Sequence, residues 1–344
     1  MSVQITDCTI RDGGYLFNKN SNPEFIKGIM KGLADAGIDF VETGFLQTNC
    51  TGETLVYANS VDAKRYLPMD KNKTEFIGFC DNSRYSVDNL DEYTGESFKW
   101  LRISFAKHEA DSALKFCFSA IQKGYLVQFN PMDTLSYSDD ELLELISKVN
   151  EIQPASFSIV DTFGAMDMRE LVHFFNQIDG SLDKSIKIGL HSHDNLGLSC
   201  ALAERMIDLA EERNRDIIVD GSLFGMGRGA GNARTEILAS YINKYCGGNY
   251  DIEKLIITIE KYITPILNDV SWGYDIPMFI CGIMHSHVDN VYHLTEKYDC
   301  DAYELFETLS GLSLEQRIRY GKNYSKTDFS EIDALYTKLK KFRD

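Results

Sequence analysis

The fold can be approached from the stretch Ile186-Lys-Ile-Gly-Leu-His-Ser-His-Asp-Asn195. Its first five residues form a short, mostly apolar run, which predicts a buried strand. Two histidines, His191 and His193, follow at the carboxyl end of this strand, where α/β barrels place their functional groups. Residues i and i+2 of a strand point to the same face, so both imidazoles can bind one metal ion. Two ordinary structural histidines are the alternative, and this would be favoured if the motif stood alone.

Strands and helices alternate on both sides of this stretch, which predicts a parallel sheet. Eight such units within about 245 residues match the size of a closed (β/α)₈ TIM barrel. An open doubly wound sheet is the alternative, but polar groups follow many of the strands and so favour the barrel. The predicted strands are Val3–Thr9, Asp39–Phe45, Glu75–Cys80, Trp100–Phe105, Leu126–Phe129, Ser156–Val160, Ile186–Leu190 and Ile217–Asp220.

The pattern changes after Gly248, where only helical periodicity is found. We therefore expect a catalytic barrel over residues 1–248 and a helical C-terminal region over residues 249–344 that packs on the barrel or roofs its mouth. The helices predicted in this region are Asp251–Leu267, Asp289–Lys297, Ala302–Leu309 and Thr327–Phe342.

Composition restricts the class of protein. The chain has 344 residues, of which 44% are hydrophobic, and a formal net charge of −17. This charge disfavours binding to nucleic acid or to anionic membrane surfaces. The eight cysteines include no Cys-x-x-Cys pair, and the sequence shows neither a secretory signal nor a membrane-spanning run. We expect a cytoplasmic globular enzyme with reduced thiols.

Charged residues also follow the first predicted strand, in Asp7-Cys-Thr-Ile-Arg11-Asp12-Gly-Gly14. A carboxylate beside a guanidinium suits a site in which Asp12 holds a cation and Arg11 meets developing negative charge. A surface ion pair that precedes a turn is the alternative for this motif by itself.

A glycine-rich stretch, Gly225-Met-Gly-Arg-Gly-Ala-Gly-Asn232, follows the eighth strand. Glycines let the backbone approach a ligand closely, and Asn232 can offer a carbonyl oxygen. A dinucleotide fingerprint would follow the first strand of a βαβ unit, so we do not assign one here.

Together, the motifs Thr9–Gly13, His191–Asn195 and Gly225–Asn232 resemble those of the HMG-CoA lyase-like (DRE-TIM type) superfamily of metal-dependent aldolases and lyases. The likeness is greatest to the 4-hydroxy-2-oxovalerate aldolase branch, through Val160–Met166 and Trp272-Gly-Tyr274. It covers the barrel and is loose over the last hundred residues or so.

The resemblance implies a set of site residues. It makes Asp12, His191 and His193 metal ligands, with Asn232 as a ligand or close neighbour, and it makes Arg11 an electrophilic helper. Mn²⁺ or Mg²⁺ suits this set, and Zn²⁺ or Co²⁺ could occupy it in vitro. Further residues are expected to bind substrate or to support the ligands, and they are Glu42, Asp161, Tyr274 and Gly227.

The general base is where this sequence departs from the aldolase branch. That branch has a histidine two positions after Arg-Asp-Gly, and this chain has Tyr15 there. We expect His108, just past the fourth strand, to act as the base, because histidine titrates near neutral pH. Tyr15 could orient the hydroxyl or relay the proton, and His285 or His287 could enter from the C-terminal region.

The resemblance implies cleavage or formation of a C–C bond next to a 2-oxo acid, such as conversion of a 4-hydroxy-2-oxo acid to pyruvate and an aldehyde. Two other functions stay open: a Claisen-type acyl-CoA enzyme of the same superfamily, and a metal-binding barrel without catalysis. The expected partners are a small 2-oxo acid, a second copy of the chain in a homo-oligomer, and an acylating aldehyde dehydrogenase.

Overall fold

The computed structural model describes residues 1–16, 22–50, 54–70, 72–318 and 329–341. Eight parallel strands form a barrel, which closes because β1 pairs with both β2 and β9, and β3 is a short strand beside β2. The predicted TIM barrel is confirmed. The strands are β1 (Val3–Asp7), β2 (Phe40–Leu46), β3 (Val56–Tyr57), β4 (Glu75–Asp81), β5 (Trp100–Phe105), β6 (Leu126–Pro131), β7 (Ser156–Asp161), β8 (Lys187–Ser192) and β9 (Ile217–Gly221).

Helices surround the barrel strands and cover their outer faces. Every residue of β2, β7 and β9 is buried, which agrees with parallel strands that are covered on both faces. The helices up to the end of the barrel are α1 (Thr9–Gly13), α2 (Pro23–Asp35), α3 (Ala110–Gln122), α4 (Asp139–Ile152), α5 (Met168–Ser181), α6 (Ser199–Arg213) and α7 (Thr235–Tyr245).

The first strand is shorter than the sequence predicts. It ends at Asp7 instead of Thr9, because the Asp7 side chain accepts a hydrogen bond from the Thr9 N–H at 3.0 Å and turns the chain into α1. This early turn places the following residues, Arg11 and Asp12, on a buried helical turn at the barrel mouth.

The C-terminal region begins with a helix that packs on the barrel. The segment Asp251–Leu267 is helical as predicted but is not one regular α-helix, because α8 (Ile252–Thr258) continues as a π turn (Ile259–Ile263) and a 3₁₀ turn (Thr264–Ile266). Pro265 has no N–H to donate and its ring clashes with the preceding turn, which explains the break. Leu255 and Ile263 join the main core of the barrel.

The remaining helices form a second, smaller core. They are α9 (Ile276–Ile283), α10 (Val288–Tyr298), α11 (Ala302–Ser310), α12 (Leu314–Ile318) and α13 (Ser330–Lys341). Their buried residues include Met278, Leu294, Leu305 and Leu309. Predictions for α10, α11 and α13 are confirmed within the described residues, whereas residues 327, 328 and 342 lie outside them. Helices α9 and α12 were not predicted. The division between residues 248 and 249 stays a prediction.

Three contacts hold this second core over the carboxyl ends of the barrel strands. His285 Nε2 lies 2.7 Å from Asp133 Oδ1, and the Gly229 N–H donates to the Tyr292 hydroxyl at 3.0 Å. Arg228 forms an ion pair with Asp289. The helices of the second core therefore contribute to the same mouth as the barrel loops. Across the described ranges, no helix combines the length and the apolar character that a membrane crossing requires.

Candidate active site

The loop after β1 is fixed by hydrogen bonds from two sides. The Thr9 hydroxyl accepts the Leu223 N–H at 2.7 Å, and the Asp7 carboxylate accepts the Thr235 hydroxyl at 2.6 Å. These contacts join the first loop to the glycine-rich stretch after β9. The motif that follows β1 and the glycine-rich stretch that follows β9 therefore lie side by side.

Arg11 is held between two carboxylates. Its Nε donates to Glu42 Oε2 at 2.6 Å, and its Nη1 donates to Asp12 Oδ1 at 2.6 Å. All three side chains are buried. The structure thus places Glu42 beside Arg11, as predicted, and leaves other N–H groups of the guanidinium for a ligand.

The two histidines each use Nδ1 to contact the protein. His191 Nδ1 lies 3.0 Å from Asp220 Oδ2, and His193 Nδ1 lies 3.2 Å from the Gly231 carbonyl oxygen. A carbonyl and an ionised carboxylate only accept, so Nδ1 donates in both rings, and Nε2 is the ring nitrogen left for a metal ion. This arrangement is typical of metal-binding histidines, whose second ring nitrogen is fixed by a carboxylate or a carbonyl.

Asn232 completes the set. Its amide nitrogen donates to Asp12 Oδ2 at 2.6 Å, while its Oδ1 is buried without a hydrogen-bond partner among the described residues. A Cβ atom on Gly227 would lie 2.2 Å from Asn232 Nδ2 and 2.5 Å from Asp12 Oδ2. Gly227 is therefore required by close packing against two candidate ligands.

Charges around the site keep the candidate ligands in metal-binding form. Burial alone would raise the pKa of Asp12, but Arg11, His193 and His191 hold it below its ordinary value. Burial lowers the pKa of His193 to about 4, against the opposing effect of Asp12. At neutral pH the carboxylate is ionised and this imidazole is neutral, as metal binding requires.

Two charged residues of the site were missed in the sequence. Arg102, on β5, donates to both oxygens of Asp220 and lies 3.1 Å from Glu42 Oε1. Burial would raise the pKa of Asp220, but Arg102 and His191 lower it to about 2. A charged residue inside the apolar run Trp100–Phe105 needs a buried partner, and this was the available signal.

A cavity of about 290 Å³ opens above these groups. Arg11, Asp12, Tyr15, His191 and His193 line it from the barrel, and residues of α10 and the preceding loop line it from the C-terminal region. The structure therefore brings together the predicted ligands, Arg11 and Tyr15 in one place. Asn232 does not line the cavity itself, but its amide nitrogen donates to Asp12, which does.

His108 is not brought to this cavity. It lies in a 3₁₀ turn (Lys107–Glu109), its side chain is exposed, and it is not among the residues that line the cavity. The strand β5 ends at Phe105, and the chain then turns outward into α3. His108 thus has no geometric basis for a role as the base.

Three other predicted residues do not line the cavity, although one of them, Asp161, adjoins a candidate ligand, because its carbonyl oxygen accepts the His193 N–H at 3.3 Å. Asp161 accepts the Ala165 N–H at 2.8 Å and so holds the loop after β7, and burial raises its pKa to about 7. Tyr274 is 56% exposed and is not a cavity residue. His285 pairs with Asp133 outside the cavity lining.

His287, by contrast, does line the cavity. Its Nδ1 accepts the Asp289 N–H at 3.1 Å, and burial together with the charge of Arg228 lowers its pKa to about 3. The ring is therefore neutral at pH 7, with its proton on Nε2. His287 is therefore better suited to donate a hydrogen bond from Nε2 than to accept a proton.

The donor set fits a divalent metal ion. Two imidazoles, one ionised carboxylate and one amide oxygen are available, and the amide oxygen of Asn232 is otherwise left unsatisfied. As the side chains stand, no three His, Cys, Asp or Glu groups in the described part of the chain are close enough to form a metal cluster. His193 Nδ1 lies 4.0 Å from Asp12 Oδ2.

Comparisons with known proteins agree with this fold. The model of the HMGL-like family matches residues 97–260. The chain is therefore similar to the HMGL-like family over this part of the barrel and the start of the C-terminal region. A 4-hydroxy-2-oxovalerate aldolase from Bacillus thuringiensis is 25% identical over 312 residues, which cover 88% of this chain and 89% of the relative.

Solved structures show the same architecture. The N-terminal domain of a putative aldolase from Bacteroides vulgatus is 25% identical, with a TM-score of 0.73 over 86% of this chain and 98% of that one. An HMG-CoA lyase from Bacillus subtilis is 16% identical, with a TM-score of 0.64 over 78% of this chain and 94% of that one. The second likeness supports the fold alone.

Proposed function

We propose that the protein is a divalent-metal-dependent aldolase, which cleaves or forms the C3–C4 bond of a 4-hydroxy-2-oxo acid, with pyruvate and an aldehyde as the cleavage products. One observation carries the proposal: Asp12, His191 and His193 meet Arg11 at one cavity, while the buried Oδ1 of Asn232 lacks a partner among the described residues. The names of the aldolase relatives support the same reaction class.

Asp12, His191, His193 and Asn232 would hold the metal ion. Oxygen and imidazole donors with room for substrate favour Mn²⁺ or Mg²⁺. When bound, the ion supplies Lewis-acid polarisation of the substrate's 2-oxo group.

Arg11 stabilises the charge that develops when the C–C bond breaks. The ion pairs with Glu42 and Asp12 fix the guanidinium in position, so it needs little rearrangement during the reaction. Its remaining N–H groups can donate to the 2-oxo oxygen as that oxygen becomes enolate-like. Removal of such a donor typically costs a factor of about 10² to 10³ in kcat.

Tyr15 is the residue that we assign to the proton on the C4 hydroxyl. It lines the cavity next to Arg11 and Asp12, at the position where the aldolase branch has a histidine. Burial raises the pKa of Tyr15, so the phenol is protonated at neutral pH. A protonated phenol relays a proton by accepting one from the substrate as it passes its own to water.

The Mn²⁺ or Mg²⁺ preference, the homo-oligomer, the cytoplasmic location and the acylating aldehyde dehydrogenase partner stay predictions. The test of the function is release of pyruvate from a panel of 4-hydroxy-2-oxo acids, with Mn²⁺ and with excess chelator. We expect turnover that depends on the metal and is lost in Arg11→Ala. A folded, metal-loaded protein that releases pyruvate from none of the panel would point to the non-catalytic barrel.

A further inference from the structure

The cavity has a polar wall across the barrel mouth from Asp12. Ser104 and Asn130 lie near the ends of β5 and β6, where they are register partners on adjacent strands, and both line the cavity. In the barrel order, β6 lies four strands from β1 in either direction, and β5 lies four strands from β9. The pair therefore faces Asp12 and the glycine-rich loop across the barrel mouth.

Both side chains are buried and retain unused hydrogen-bonding groups. Ser104 is 6% exposed and Asn130 is 3% exposed. Asn130 Oδ1 accepts the Ser158 hydroxyl at 3.1 Å, which leaves the amide nitrogen of Asn130 as a donor. Among the described residues, neither this nitrogen nor the Ser104 hydroxyl has a hydrogen-bond partner. Both groups face the cavity, so a ligand that excluded water from them without bonding to them would leave them unpaired, whereas a ligand with matching hydroxyl groups would not.

The charged residues beside this wall carry both signs. Arg84 lies 3.4 Å from Asp81, Arg228 pairs with Asp289, and all four side chains line the cavity. An anionic ligand tail would meet the two carboxylates as well as the two guanidinium groups. A neutral tail with hydroxyl groups can donate hydrogen bonds to the carboxylates and accept them from the guanidinium groups.

We propose that the aldehyde fragment of the substrate is neutral and hydroxylated, so that the complete oxo acid is a 2-oxo-3-deoxy sugar acid. This rests on the proposed function and specifies its substrate class. With the oxo-acid end at the metal ligands, the aldehyde end reaches Ser104 and Asn130 across the cavity. In condensation, pyruvate C3 bonds to the aldehyde carbon and loses one proton, and the aldehyde oxygen gains one proton. No oxidant or reductant is needed.

The first test compares three aldehydes of three carbons each in condensation with pyruvate and Mn²⁺. They are glyceraldehyde, propanal and malonic semialdehyde, which differ in hydroxylation and charge. We expect kcat/KM for glyceraldehyde to exceed that for propanal by roughly 5- to 150-fold, because propanal leaves buried polar groups unpaired. Equal or higher kcat/KM for propanal or for the anionic semialdehyde would overturn the proposal.

Ser104→Ala tests whether the wall itself is responsible. The variant should lower kcat/KM for glyceraldehyde by about 2- to 10-fold, which corresponds to one neutral hydrogen bond, and leave kcat/KM for propanal unchanged. Ser181→Ala, at an exposed position at the end of α5, is the matched control. An equal loss with both aldehydes would show that Ser104 acts only through the structure and would contradict the assignment.

Thermal unfolding separates this inference from the proposed function. With Mn²⁺ present, 2-oxo-3-deoxygluconate should raise the Tm more than 4-hydroxy-2-oxohexanoate, which lacks the hydroxyls at C5 and C6. The difference should disappear in Ser104→Ala. If it is observed without any turnover, the aldolase assignment fails and the ligand class stands. Equal effects of the two compounds on wild-type Tm would refute the ligand class even if pyruvate is released.

Discussion

His191 Nδ1 lies 3.0 Å from Asp220 Oδ2, and the same carboxylate binds Arg102 through both of its oxygens. Arg102 also contacts Glu42, which holds Arg11, which in turn holds Asp12. A continuous series of opposite charges therefore connects two candidate metal ligands, His191 on β8 and Asp12 after β1. Since buried charges are stable only with partners, this network fixes the ligands before a metal binds.

Asp220→Asn should weaken metal binding by about 10- to 100-fold, which is the usual effect of removing a carboxylate that orients a metal-binding histidine. The amide can no longer accept the Nδ1–H as a charged group, and Arg102 loses its main partner. Titration with Mn²⁺, followed by electron paramagnetic resonance, gives the affinity. Asp111→Asn, at an 81% exposed carboxylate, is the control. Equal Mn²⁺ affinity in wild type and a folded Asp220→Asn would rule out this role.

Gly227→Ala should also reduce metal affinity, although the substitution adds only one methyl group. Its Cβ would lie 2.2 Å from Asn232 Nδ2 and 2.5 Å from Asp12 Oδ2, so both side chains must move. Gly180→Ala is matched to it, because nothing lies within 4 Å of the added atom there. Isothermal titration with Mn²⁺ compares the two variants. If Gly227→Ala binds the ion as tightly as Gly180→Ala, Asn232 and Asp12 are not ligands.

Tyr15→Phe should lower kcat by about 10² to 10⁴, the range for proton transfer by a positioned side chain, with little change in metal affinity. His108→Asn should have no effect, since that imidazole is exposed outside the cavity. Steady-state rates of pyruvate release distinguish these outcomes. A large loss in His108→Asn with full activity in Tyr15→Phe would reverse the assignment.

His287 should make the stability of the fold sensitive to acid. Burial lowers its pKa from 6.5 to about 3 in the folded protein. Between pH 3 and pH 6.5 the unfolded chain binds more protons than the folded protein. The contribution of the neutral His287 to the free energy of unfolding is therefore complete above about pH 6.5 and is lost as the pH falls toward 3. At pH 5 the loss is on the order of 2 kcal/mol.

Urea unfolding at pH 7 and pH 5 measures this effect. In His287→Asn, whose amide oxygen can still accept the Asp289 N–H, the free energy of unfolding should fall less between the two pH values than in wild type. His108→Asn, the same substitution at an exposed histidine outside the cavity, is the matched control. The same pH dependence in His287→Asn and wild type would contradict this, because it would show that folding does not lower the pKa of His287.

The sequence was sufficient for the barrel because each strand is a short apolar run bounded by polar residues. It also indicated that Arg11, Asp12, His191 and His193 would lie together, since these residues follow or end strands whose carboxyl ends converge. The π and 3₁₀ turns near Pro265 lie beyond the reach of helical periodicity, because they depend on the geometry of the local backbone.

The base was the least predictable part of the site. A residue just past a strand can point into the mouth or outward, and the direction depends on the local turn. His108 lies in a 3₁₀ turn that leads outward to α3, whereas Tyr15 follows the buried turn of α1. Ser104 and Asn130 could not be found by pattern, because their importance comes from their position across the cavity from Asp12.

The most direct test of the central claim is exchange of the C3 protons of pyruvate with deuterium from solvent, measured by mass spectrometry in the absence of any aldehyde. The metal site and Arg11 are proposed to stabilise an enolate, so wild-type protein with Mn²⁺ should exchange these protons well above the rate with buffer and Mn²⁺ alone. Chelator and His191→Ala should each abolish the exchange. Exchange by the wild-type protein no faster than by buffer with Mn²⁺, although the protein is folded and binds the metal, would contradict the claim.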